Sequence, residues 1–271
     1  MSVILGVDVG GSTTKIVAFD RKVIGMLQVR AGDQLTSLYG AIGHLLHQHN
    51  LKLGDVKKIV LTGVGASLIE EDIYGIPTCK VNEFQAIGKG GLLLTGQEDG
   101  LVVSMGTGTA FVYAKGNKIE HIGGSGVGGG TLIGLAQEML GETDFEAILA
   151  LAADGDLRKV DLSVQDISKA TISTLPDNVT ASNFGRIKST ATKGDLALGL
   201  INMIFQTAGV MAAFSAKGRG YERIIVTGSL TEIPQGKEVL EGVAQLHGIP
   251  FIIPEKATFA TALGAAALQE E

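Results

Sequence analysis

Residues 5–25 read LGVDVGGSTTKIVAFDRKVIG, and residues 101–121 read LVVSMGTGTAFVYAKGNKIEH. Each is an apolar, β-branched run, a glycine-rich turn, a second apolar run, a short polar turn and a third run, so two three-stranded meanders of one design are predicted. A second signature repeats behind them: VLTGVGA from Val60 is matched by IVTGSLT from Ile225, each a strand that ends in Thr-Gly. Repetition of both signatures predicts a diverged duplication of one αβ unit. The boundary falls at residues 96–100 and divides the chain into lobes 1–98 and 99–271.

Working outward, strands are expected at 3–7, 15–20, 23–29, 58–61 and 78–81 in the first half. Between them, residues 33–50 carry Leu35, Leu38, Ile42, Leu45 and Leu46 on one side at helical spacing. A short helix is expected at 66–71 and a longer one at 83–94. The second half predicts strands at 101–104, 110–114, from 118, at 223–227 and at 251–253, with helices at 128–140, 195–217, 237–246 and from 258. Alternating strands and helices after an opening meander give an α/β class, a mixed sheet flanked by helices. Residues 154–180 read as irregular, punctuated by Pro176 and Asp177, and are expected to be mostly surface structure.

The chain has 271 residues, 45% hydrophobic and 18% charged, which is enough apolar content for two cores and excludes a disordered chain. Thirty-nine glycines against five prolines point to loops where backbone approaches a ligand closely. A net charge of -6 without a basic cluster makes nucleic acid an unexpected partner. Cys79 is the single cysteine, so one chain builds neither a disulfide nor a cysteine-based cluster, and a small buried hydrophobe is its expected role. The start MSVILGVDVGG lacks a basic leader, and no later run is read as membrane-spanning, so a cytoplasmic protein without a membrane partner is expected.

The turn holding Asp8, Gly10, Gly11, Ser12, Thr13 and Lys15 has the parts of a phosphate cradle. Glycines let amides approach phosphate, hydroxyls add donors, an acidic strand end holds Mg²⁺ through water, and Lys15 adds a point charge. The plainer reading is an ordinary glycine-rich hairpin. It is not a Walker loop, because GxxxxGK[ST] is absent. Ser104 to Thr109, SMGTGT, fills the equivalent turn of the second half, so two such loops face one another across a cleft in this reading.

Gly123 to Gly130, GGSGVGGG, opens a helix whose free amides and dipole suit phosphate or ribose. Its match to GxGxxG lacks the βαβ setting of a dinucleotide fold. Glu83 starts a helix, where it is a dipole partner or a carboxylate able to take a hydroxyl proton during phosphoryl transfer. His44, His47 and His49 end the first long helix, where a metal site competes with the simpler reading of a solvated helix end. Gly228-Ser229 is a strand-ending turn of the kind that passes beneath adenine.

The order of these pieces resembles the acetate and sugar kinase, heat-shock chaperone and actin superfamily, and within it the type II pantothenate kinases. The carriers are VDVGGSTTK from Val7, NEFQAIGKGG from Asn82, SMGTGTA from Ser104, IGGSGVGGGTLIGL from Ile122, VDLSVQDI from Val160, NVTASNFG from Asn178, VTGS from Val226 and ATALGAAAL from Ala260. The resemblance implies a two-lobed actin-like, ribonuclease H-like fold with a mixed five-stranded sheet in each lobe. It implies ATP and Mg²⁺ as cofactors, pantothenate as acceptor and a homodimer. Asp8 then organises Mg²⁺, while Gly10, Gly11, Ser12, Lys15, Thr107, Gly108 and Thr109 meet the ATP phosphates. Glu83 is the general base, and Gly128, Gly129, Gly130, Asn183, Phe184, Gly228 and Ser229 surround the nucleotide.

One position departs from the family pattern: His121 stands where an arginine pairs with the pantothenate carboxylate. A single imidazole makes no bidentate grip on a carboxylate. Either a neighbouring donor compensates or the acceptor differs. A sugar or amino-sugar kinase of the same superfamily and a non-kinase ATP-sensing regulator remain as alternatives; dehydratase activators of the superfamily hold an iron–sulfur cluster between subunits with cysteines, and the one cysteine here, Cys79, lies outside any such motif.

Overall fold

The computed structural model describes residues 2–30, 32–168 and 179–269. The first half opens with β1 (Val3–Val9), β2 (Thr13–Asp20) and β3 (Lys22–Arg30), followed by α1 (Gln34–Gln48), β4 (Val56–Thr62), β5 (Thr78–Lys80) and α2 (Glu83–Thr95). The second repeats the order with β6 (Asp99–Met105), β7 (Thr109–Lys115), β8 (Lys118–Ser125), α3 (Gly129–Leu140) and α4 (Phe145–Ala152). A small excursion, β9 (Leu162–Ser163), α5 (Val164–Ile167) and β10 (Thr180–Ser182), leads to α6 (Lys193–Arg219), β11 (Ile224–Thr227), α7 (Pro234–His247), β12 (Phe251–Ile252) and α8 (Ala260–Ala267).

The duplication is exact in topology. One sheet is ordered β3-β2-β1-β4-β5 and the other β12-β11-β6-β7-β8. In each, the meander is antiparallel and the later strands join parallel to its first strand. Even the backbone after the Thr-Gly signature matches: Gly63 and Gly228 have φ of 85° and 95°, a region only glycine enters without strain. Each then opens a 3-10 turn, Val64–Leu68 or Ser229–Glu232. The helix expected at 66–71 is therefore only that short turn, and Ile69 is already extended.

Strand β1 is buried on both faces, as a central strand must be. Val3, Leu5, Val7 and Val9 face Leu38, Ile42 and Leu45 of α1, the apolar stripe read from the sequence. Asp33 caps that helix by accepting from the Thr36 N–H at 2.8 Å. The opposite face, with Ile4, Val17, Phe19 and Val60, packs on Ala262, Leu263, Ala265 and Ala266 of α8. Helix α2, from the first half, instead covers the second sheet, with Ile87 and Leu92 against Val102, Val112, Ala114 and Ile225. The strands divide at 98/99, but the helices cross that line.

Helices α2 and α8 lie back to back between the sheets at backbone contact. A Cβ on Gly90 would fall 1.8 Å from the Ala260 carbonyl oxygen, and one on Gly264 would fall 1.9 Å from that of Ala86. Only the lack of side chains permits this approach.

Helix α6 has 27 residues and is long and apolar enough to cross a membrane, contrary to the sequence reading that no run was. Of its most apolar window, 61% is buried in the fold, where Ile201, Ile204, Phe205 and Ala208 join the core under the second sheet. Its start is fixed by Asp195, whose carboxylate accepts from the Thr192 N–H and hydroxyl, the Asp156 N–H and the Lys159 ammonium. The stretch expected to be irregular holds β9, α5 and β10, while Pro176 and Asp177 lie outside the described residues. His49 lies over Gly25 of β3, and no group of three or more His, Cys, Asp or Glu able to hold a metal occurs among the described residues.

Candidate active site

Strand pairing sets Asp8 directly opposite Lys15 on one side and Thr62 on the other, so the three side chains form a row across β2, β1 and β4. Parity places the row on the face toward α8 and α2. The Lys15 ammonium stands 3.9 Å from Asp8 Oδ2, with both groups largely buried. On the far side, Asp8 Oδ1 lies 2.6 Å from where a Cβ on Gly63 would be, so Gly63 makes the room in which the carboxylate rests. The hairpin beside it is closed by the Gly10 N–H donating to the Thr13 carbonyl at 3.0 Å, with Gly11 and Ser12 exposed at its tip.

Glu83 joins this row from α2. Asn82 caps the helix, its Oδ1 accepting from the Phe84 and Gln85 amides at 3.0 and 3.2 Å. The cap takes the local donors and leaves the half-buried Glu83 carboxylate to its surroundings. Burial pushes its pKa up, the charge of Asp8 adds to the rise, and Lys15 opposes both. Asp8 is also raised, by burial, against the pull of Lys15. Two carboxylates thus share one ammonium, and each holds a proton more tightly than it would in water.

The second hairpin is built differently from its expected form. The Gly106 N–H closes the turn on the Gly108 carbonyl at 2.9 Å. Three amides at the start of α3, expected to be free for phosphate, are committed. Gly128 donates to Thr131 Oγ1 at 3.2 Å, Gly129 to the Gly106 carbonyl at 2.8 Å and Gly130 to the Thr107 carbonyl at 2.9 Å. The reason is proximity: a Cβ on Gly128 would sit 2.6 Å from the Thr107 carbonyl oxygen, so the helix end docks on the hairpin and uses its carbonyls. The Thr109 hydroxyl donates to the Val127 carbonyl at 2.8 Å, leaving Thr107 as the exposed hydroxyl of the loop. Glycine here buys rigidity of the loop.

Gly228 joins the same assembly, since a Cβ on it would meet the Met105 carbonyl oxygen at 2.5 Å, and Ser229 is half-buried on the following turn. Phe184 is tied to a different part of the second half. The Phe184 N–H donates to Asp161 Oδ1 at 2.9 Å, holding a φ of 55°, and its ring packs on Gly199 of α6. Asp161 is anchored in turn by the Asn202 amide at 2.7 Å. The Asn183 Nδ2 is buried without a partner among the described residues. His121, exposed on β8, lays its ring on Phe84 with centroids 3.7 Å apart and 8° between planes.

The structure therefore brings together Asp8, Lys15 and Glu83, and separately the second hairpin, α3 and Gly228. Sequence reasoning missed three contributors: Thr62 and Gly63, which bracket Asp8, and Phe84, which carries His121. The repeated Thr-Gly signature was the available signal for the first two.

A family model described as Fumble matches residues 100–239. The chain is 32% identical over 274 residues to a type II pantothenate kinase of Staphylococcus haemolyticus, covering 96% of this chain and 98% of that protein. Among solved structures, it superposes on component A of the Acidaminococcus fermentans (R)-2-hydroxyglutaryl-CoA dehydratase with a TM-score of 0.70 at 16% identity, covering 99% of this chain and 97% of that one. A ROK family glucokinase from Streptomyces griseus, in complex with glucose and AMPPNP, gives 0.63 at 14% identity, covering 98% and 99%. These structural likenesses establish the two-lobed actin-like fold.

Proposed function

The chain belongs to the type II pantothenate kinase family, and on that footing we propose that it phosphorylates pantothenate with ATP to give 4'-phosphopantothenate, the first step of coenzyme A biosynthesis. The observation that carries the reading is the meeting of Asp8, Lys15 and Glu83 on facing elements. A carboxylate with raised proton affinity beside a buried ammonium is what removal of a hydroxyl proton next to a phosphate requires.

In this reading Glu83 accepts the proton of the acceptor hydroxyl as its oxygen bonds to the γ-phosphorus and the bond to the bridging oxygen breaks. Lys15 stabilises the charge that builds on the transferring group. Asp8 is the residue that would hold Mg²⁺, which supplies charge neutralisation at the phosphates when bound. The fit is that of a hydrated ion. A carboxylate outside any cluster of three or more His, Cys, Asp or Glu among the described residues suits an ion that keeps most of its waters and takes its other ligands from phosphate. Gly10, Gly11, Ser12 and Thr107 to Thr109 line the phosphates, with Gly128 to Gly130 acting through the rigidity of the loop. Asn183, Phe184, Gly228 and Ser229 complete the nucleotide site, and His121 lines the acceptor side. A homodimer is the proposed assembly, supported by the exposed Met211 and Phe214 on one face of α6.

The test is incubation of purified protein with MgATP and pantothenate, with ADP and phosphopantothenate as expected products. Turnover of a hexose panel in place of pantothenate would move the assignment to a sugar kinase. ATP binding without acceptor-dependent ADP release would move it to a regulator.

A further inference from the structure

Thr62 and Thr227 end β4 and β11 at equivalent places in the duplication, at 1% and 0% exposure, and neither hydroxyl has a hydrogen-bond partner among the described residues. A buried hydroxyl without a partner is unfavourable relative to a valine of the same shape, because its desolvation is uncompensated. Their neighbours differ. Thr227 lies opposite Ser104 on β6, an uncharged position, whereas Thr62 lies opposite Asp8. Asp8 is also under-satisfied: the Lys15 ammonium at 3.9 Å is beyond hydrogen-bond length, and no donor to its carboxylate is found among the described residues. An unpaired hydroxyl and a carboxylate that has an ion-pair partner in Lys15 but no hydrogen-bond donor among the described residues thus stand side by side on one row, with Gly63 keeping the space above Asp8 Oδ1 open.

We propose that Thr62 is a positioning residue for a hydrated divalent cation at Asp8, its Oγ1 and the Asp8 carboxylate receiving hydrogen bonds from two of the ion's bound waters. This rests on the MgATP reading above and adds a residue to it. A second-sphere hydroxyl fits because the ion is held through water, and its loss leaves the direct ligands untouched. Thr227, beside no carboxylate, has no such task and serves as the internal comparison.

The experiment titrates Mn²⁺ into the full chain with a non-hydrolysable ATP analogue, following free Mn²⁺ by electron paramagnetic resonance, alongside thermal unfolding without metal. Thr62→Val is expected to weaken Mn²⁺ binding about 10- to 100-fold, the range for losing one outer-sphere hydrogen bond to a bound ion, with an unfolding midpoint equal to or above wild type. Thr62→Ser should bind Mn²⁺ within about twofold of wild type, which would confirm the hydroxyl as the active feature. Thr227→Val should leave the Mn²⁺ titration unchanged. Wild-type affinity in Thr62→Val, an equal loss in Thr227→Val, or unfolding of Thr62→Val would each overturn the proposal, the last by showing a structural hydroxyl. Absence of metal-dependent nucleotide binding in the wild type would instead defeat the MgATP reading itself.

Discussion

The imidazole of His121 and the ring of Phe84 lie face to face at 3.7 Å, which couples the edge strand β8 to the residue that follows Glu83. The stack builds one wall beside the proposed base and fixes the plane in which the ring nitrogens of His121 can meet an acceptor. His121→Ala is expected to raise the acceptor KM about tenfold while the KM for ATP stays within about twofold, since one hydrogen bond and part of a stack are lost. Initial-rate measurements with each substrate varied in turn decide it. Equal changes in both constants would place His121 outside the acceptor side.

Glu83→Gln should lower kcat by about 10²–10⁴, the usual share of a positioned base, with ATP affinity preserved. Calorimetric titration of the variant with an ATP analogue separates the two effects. Retained turnover would remove Glu83 from the mechanism.

The pH profile should carry the environment of Glu83. Its pKa is raised by burial and by Asp8, and the base acts ionised, so kcat/KM should fall as pH drops through a value above the ordinary glutamate range. Lys15 opposes the rise, so Lys15→Met should move that acid limb to still higher pH. For stability the sign is reversed: the folded chain favours protonated Glu83, so this group's contribution weakens as pH rises from the unfolded to the folded pKa. A limb at the ordinary carboxylate position in a rate profile would show that Glu83 is not the titrating base.

Gly90→Ala is expected to destabilise by about 3 kcal/mol or more, because its Cβ would meet a backbone oxygen at 1.8 Å and neither helix can yield without the other. Gly264→Ala meets the mirror contact at 1.9 Å. Both changes force the same pair of helices apart, so the double variant should cost less than the sum, measurable by denaturant titration.

Asp195→Asn should cost about 2–4 kcal/mol, since a fully buried carboxylate loses charge-assisted bonds to Thr192, Asp156 and Lys159. Burial works against its ionisation, but the Thr192 and Asp156 amides outweigh that and hold its pKa well below the usual range. The stability it contributes is present above the unfolded pKa and is lost as pH falls toward the folded one. Comparing unfolding midpoints of wild type and variant at neutral and strongly acid pH should show the gap closing.

Paired meanders and repeated Thr-Gly ends were legible because they are local: period-two apolar runs and turn glycines state their geometry within a few residues. The same locality made α1 readable from Leu38, Ile42 and Leu45. Helix α4 escaped because FEAILALA spans only eight residues, about two turns, too few for a helical period to repeat visibly. The committed amides of Gly128, Gly129 and Gly130 escaped for another reason: a glycine run states that backbone comes close, without saying to what. Phe84 against His121, 37 positions apart in the sequence, depends on how α2 meets the second sheet. The exchange of α2 and α8 is carried by Ala and Gly, whose sequence signal is the absence of bulk.

That exchange has a consequence for how the molecule can be taken apart. A cut at 98/99 respects the repeat but yields one piece whose β1 and β2 are stripped of α8, and another whose α8 has lost its sheet and whose own sheet has lost α2. Neither piece is a self-sufficient body; the two halves are laced like interlocked fingers. Damage to the final helix, which holds none of the residues proposed to meet phosphate, therefore bares the floor beneath Asp8 and Lys15, more than two hundred positions upstream.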